Sequence, residues 1–84
     1  MGYHINKINK GILGFPSKIQ EEYEEFIDAN RQGNRVMELI ELSDLLGAIE
    51  SYTIDRYRID LNDLIKMTRA TQSAFDDGSR KQCI

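Results

Sequence analysis

The sequence predicts an all-α fold, with three main helices per chain forming a four-helix-type bundle that oligomerisation completes. Three observations predict it. Apolar residues recur at helical spacing, no segment alternates strictly between apolar and polar, and β-hairpin signals are missing. Start and stop signals divide residues 1–84 as a single helical domain, with an irregular N-terminal arm over 1–16 and helices over about 18–31, 35–57 and 61–77.

The arm carries Gly11 and Gly14 as bends. Ser17-Lys18-Ile19-Gln20, directly after Pro16, reads as a capping box that opens the first helix. Gly33 is its left-handed stop, and Asn34 can cap the second helix. Asp60-Leu61-Asn62-Asp63 supplies a third start, with acids in the first turn where the helix dipole favours them, and Gly78 supplies its stop.

Composition narrows the function classes. With one Cys among 84 residues, no internal disulfide can form, and the ligands for a multi-Cys/His zinc site do not exist. No run of about 18 apolar residues is present, so no membrane span is expected. The N-terminus lacks the apolar stretch of a signal peptide, the myristoylation and prenylation patterns fail, and cytoplasm is the expected compartment. A net charge of −3 disfavours nucleic acid as a partner. The charge is unevenly placed, however. Residues 21–50 carry nine acids against Arg31 and Arg35, a local −7, which leaves +4 for the rest.

At about 100° per residue, helix one places Ile19, Tyr23, Phe26 and Ile27 on one face and Glu21, Glu24 and Asp28 opposite, in solvent. Glu22 and Glu25 are three apart and adjacent on the surface, beside the apolar face. Helix two is apolar around nearly its whole circumference, which predicts burial on several sides and self-association as a homodimer or homotetramer. Glu41 and Asp44 fall inside that girdle, with Glu38 one turn earlier. Ionised carboxylates so placed need protonation, a basic partner or a cation. Arg31 and Arg35 sit at the helix–helix turn, far from the middle of either helix, so a hard divalent cation, Mg²⁺, fits better. Met37 and Met67 read as core filler, and Cys83 has no assigned role.

With these pairs in view, the chain resembles the all-α nucleoside triphosphate pyrophosphohydrolases, the MazG-like group that includes dimeric dUTPases and dCTP pyrophosphatases. Lys18-Ile-Gln-Glu-Glu-Tyr-Glu-Glu-Phe-Ile-Asp-Ala29 is similar to the family's E-x-x-E helix, and Glu41-Leu-Ser-Asp-Leu-Leu-Gly-Ala48 to its E-x-x-D helix. The likeness runs from about Gly11 to Arg80. It implies Glu22, Glu25, Glu41 and Asp44 as metal ligands, with Glu21 and Glu38 as alternates. It also implies Mg²⁺, or Mn²⁺ as a substitute, and cleavage of a nucleoside triphosphate between the α and β phosphates to give a monophosphate and pyrophosphate. Glu22 is the candidate base for the attacking water, with Glu21 and Glu38 again as alternates. Lys66, Arg69 and Arg80 match the region where relatives hold phosphates, although no Asn stands among them. His4 and Phe15 are candidates for contact with a nucleobase. The alternative expectation is a non-catalytic module that binds or sequesters a nucleotide, or a helical subunit of an assembly.

Overall fold

The computed structural model describes residues 4–76, with side chains through Gln72. Three helices follow one another: α1 (Pro16–Gln32), α2 (Arg35–Tyr57) and α3 (Leu61–Asp76), with no strand among the described residues. Residues 4–15 run without regular structure.

The helix ends explain the layout. α1 opens on Phe15, whose extended backbone leaves Pro16 at the first helical position, where a missing N–H costs nothing. The expected capping box does not form. Ser17 already lies inside the helix, its hydroxyl accepts from the Ile12 amide at 3.0 Å, and the Gln20 amide donates to Glu24 instead. Gly33 takes the left-handed conformation (φ 70°), and the amides of Gly33 and Asn34 close back on Asn30 and Ala29. Asn34 then caps α2 through its side chain, which accepts from the Met37 amide at 3.1 Å. A stop and a start on adjacent residues reverse the chain, so α1 and α2 lie antiparallel along a shared seam. The end of α1 therefore meets the start of α2, where Asn30 reaches Glu38, and Gly14, just ahead of α1, lies against Asp55 near the end of α2.

α2 ends without a glycine. Arg58 adopts φ 58°, and the amides of Arg58 and Ile59 close on Ile54 and Thr53. Asp60 caps α3 by accepting from the Asp63 amide at 3.0 Å, and Glu50 of α2 accepts from the Leu61 amide at 2.8 Å. That bond fixes where α3 departs, but α3 hardly packs against the hairpin. The radius of gyration is 15.1 Å, where a compact chain of this length gives about 11–12 Å.

Among the described residues, much of the apolar surface of α2 consequently stays uncovered. Val36 and Leu39 are 71% and 70% exposed, Leu42, Leu46 and Ile54 are also exposed, and Ala29 and Ala48 are the apolar residues fully buried along the seam. The expected burial of α2 on several sides is not met by one copy. Tyr23 and Met67, expected in the core, are exposed too, because the element that would cover each is not packed there. Gly78, Arg80 and Cys83 lie outside the described residues.

An arginine held in left-handed backbone at the α2 terminus stores strain that glycine lacks. Arg58→Gly is expected to stabilise the fold by about 0.5–1 kcal/mol, raising the melting temperature by about 2–8 °C in a thermal melt. Gly11→Ala should do the reverse and cost about 1–3 kcal/mol, since a methyl group there would collide with the backbone of Ser17 and Lys18.

Candidate functional site

The seam between α1 and α2 is acidic rather than oily. Glu21, Asp28 and Glu41 are each only 2% exposed, and Glu22 is buried as well. Antiparallel packing brings Glu22 and Glu25 of α1 toward Glu41 and Asp44 of α2. Oxygens of Glu22, Glu41 and Asp44 lie mutually within 4.8 Å, as do those of Glu21, Glu22 and Glu25. The four expected ligands thus converge in overlapping groups. Asp44 differs from expectation in being exposed: it sits on the rim, because Leu42 and Leu46 near it are themselves exposed and do not cover it. Glu38 stands apart near the turn, 3.4 Å from the Asn30 amide.

Two corrections concern charge. Glu21 and Asp28 were expected in solvent and are instead covered, because the arm of residues 4–11 folds back over that side of α1. Arg31 and Arg35 are not the nearest cations. Lys18 sends its Nζ to Glu22 at 3.0 Å and Glu21 at 3.1 Å, and His4 enters from the arm. Lys18 lies three and four residues before those acids, a spacing that reads directly as neighbours on a helix. His4 had no local signal, since its partners are more than twenty positions away.

The arm is held by one side chain. Asp28 accepts from the Ile5 amide at 2.9 Å, the Asn6 side chain at 3.0 Å, Gln32 at 2.9 Å and His4 Nδ1 at 3.0 Å. Burial works to raise its pKa, but these donors, Ile5 foremost, outweigh it and pull Asp28 down to about 2. The other ring nitrogen of His4 points across the seam, with Nε2 2.9 Å from Glu41 and 3.8 Å from Glu25. Partial burial opposes charging of the ring, yet the Asp28 bond and the charges of Glu41 and Glu25 prevail and raise its pKa.

The carboxylates feel their crowding. Glu25 is pushed up to about 7, first by burial and then by the charge of Glu22, and its hydrogen bond with Glu21 raises Glu25 while it lowers Glu21. Glu41 is also raised, since burial outweighs the help of His4. Glu21 is lowered despite its burial by the Gly11 amide and Lys18.

Two clefts flank the cluster. One, of about 360 Å³, is lined by His4, Lys10, Glu25, Glu41 and Asp44 among others, and the second by Lys18, Glu22, Asp44, Gly47 and Ser51 among others. Asp44 borders both. The phosphate candidates Lys66 and Arg69 are exposed on α3, away from these clefts, and Arg80 lies outside the described residues. Phe15 is exposed at the head of α1.

Comparison with protein-family models, with curated proteins and with solved structures gives no match to this chain. No helix among the described residues is long and apolar enough to cross a membrane.

Asp28 sets an acid limit on arm docking. Its lowered pKa contributes stability that is present above the ordinary value of 3.8 and is lost as pH falls toward about 2. Asp28→Asn should remove this acid limb from a plot of melting temperature against pH. It should also speed exchange of the Ile5 and Asn6 amides at neutral pH while α1 and α2 remain helical.

Proposed function

We propose that this chain is a Mg²⁺-dependent nucleoside triphosphate pyrophosphohydrolase, cleaving between the α and β phosphates and working as a homodimer or homotetramer. The observation that carries the reading is the meeting of Glu22, Glu25, Glu41 and Asp44 in a partly buried seam between two antiparallel helices. It is supported by the resemblance of the two acidic pairs to those of the MazG-like group.

The donor set suits a hard cation. All four ligand candidates offer oxygen, and within the triplet Glu22, Glu41 and Asp44 the distances within 4.8 Å match the span of donors about one ion, with Glu25 joined through Glu22. Glu22, Glu25 and Glu41 would hold the ion from the floor and Asp44 from the rim, where substrate and solvent have access. Bound there, Mg²⁺ would neutralise phosphate charge and polarise the scissile phosphoryl group. The protein's own part is then positional and acid–base. Glu22 stands beside the cleft as the candidate base that orients an attacking water, with Lys18, which lines the same cleft, holding its carboxylate at 3.0 Å. Glu25, raised to about 7 by its burial and the charge of Glu22, would give up its proton on taking the ion.

A second copy has two tasks in this reading. It covers the exposed apolar face of α2, and it supplies cationic groups to the clefts, since Lys66 and Arg69 do not line those of their own chain. That same separation favours the alternative, a module that binds a nucleotide without turning it over. Product formation decides between the two.

A panel of ribo- and deoxynucleoside triphosphates with Mg²⁺, followed by pyrophosphate release, is expected to show turnover with at least one member. Glu41→Gln should lower it by about 100-fold or more. Turnover unaffected by that substitution overturns the site, and nucleotide-dependent thermal stabilisation without product supports the binding module. By light scattering the wild-type chain should run as a dimer or tetramer, and Leu39→Glu as a monomer.

A further inference from the structure

We propose that His4 is a nitrogen ligand of this metal centre, so that the site prefers borderline transition ions such as Co²⁺ or Zn²⁺ over Mg²⁺. The inference rests on the reading above and extends it from an all-oxygen ligand set to a mixed one.

The geometry points there in two ways. First, the ring is oriented as metal-binding imidazoles are oriented. Such a residue gives one ring N–H to a carboxylate, which fixes tautomer and direction and leaves the other nitrogen aimed at the ion. Asp28 receives Nδ1 at 3.0 Å and is itself locked by the Ile5 amide, Asn6 and Gln32. Nε2 is then directed into the cleft, where it meets Glu41. Second, the spacing suits coordination. Nε2 lies 2.9 Å from Glu41 and 3.8 Å from Glu25, and one donor atom from each of the three fits within 4.8 Å. Donors on an ion with bonds of about 2.1 Å stand about 3.0 Å apart when adjacent and about 4.2 Å apart when opposite. A cation entering between them takes the place of the ring proton now shared with Glu41, which the metal-bound form releases.

The consequence is selectivity. Mg²⁺ gains little from imidazole, whereas Co²⁺ and Zn²⁺ accept it readily. Asp28 becomes a positioning residue, and the arm becomes part of the site rather than a wrapping around it. His4 is the sole histidine of the chain, so its ring nitrogens give a single set of signals.

The test uses the intact wild-type chain at pH 8 with the metal alone. On titration with ¹¹³Cd²⁺, a diamagnetic stand-in, His4 Nε2 is expected to shift and to show coupling to cadmium, while Nδ1 keeps its proton toward Asp28. By calorimetry, Co²⁺ should bind more tightly than Mg²⁺. His4→Ala should reduce that preference by about 10-fold or more, with the Ile5 and Asn6 amides reporting that the arm stays docked. Carboxylate signals that respond to metal while both ring nitrogens stay unmoved overturn the His4 proposal and leave the four-carboxylate site standing. No response from either overturns both.

Discussion

Everything in this molecule turns on the electrostatic debt of the α1–α2 seam, where carboxylates occupy the place that a helical hairpin ordinarily gives to leucine. Glu22, Glu25 and Glu41 repel one another in partly dehydrated surroundings, and the chain answers with a proton on Glu25, an ammonium from Lys18 and an imidazole from His4. Replacing these acids by leucine would make a simpler hairpin. A seam kept acidic at this cost is hard to account for by folding alone, since buried charge is weak support for stability.

The arm follows from the same constraint. Residues 4–11 bear no helix or strand, yet they lie in fixed places because buried carboxylates need donors. Asp28 gathers amides and the His4 ring, and Glu21 gathers the Gly11 amide and Lys18. Gly11 can approach α1 so closely only because it has no side chain. The irregular segment is therefore ordered by the acids it covers, and it delivers the one histidine to the seam.

Helical periodicity made much of this legible. The turn at Gly33 and Asn34, the cap at Asp60, and the meeting of Glu22 and Glu25 with Glu41 all follow from local signals and the antiparallel geometry those signals impose. Burial of Glu21 and Asp28 was not legible, since it comes from a segment that folds back from ten to more than twenty residues away and has no periodic pattern of its own. Lys18 is legible as a neighbour of Glu21 and Glu22 from helical spacing, although it lies outside the acidic stretch, which begins three residues later. The apolar girdle of α2 was legible as composition, but composition does not say which chain covers it.

That last point joins the two unfinished parts of the structure. One copy leaves the face around Val36 and Leu39 in water, and it also leaves the clefts beside Asp44 without the cations of α3. An apolar face this exposed is costly in a free monomer and ordinary in an interface. Triphosphate approaching an acidic seam needs positive charge beyond a single ion. Under the proposed function a second copy meets both needs at once. The hydrophobic effect would hold the copies together, and the geometry so fixed would bring lysine and arginine to the partner's cleft. Assembly and substrate binding would then depend on the same contact. Substitutions on the α2 face, though remote from any carboxylate, would impair affinity for nucleotide as well as association, whereas substitutions at Glu41 would impair metal binding and leave association intact.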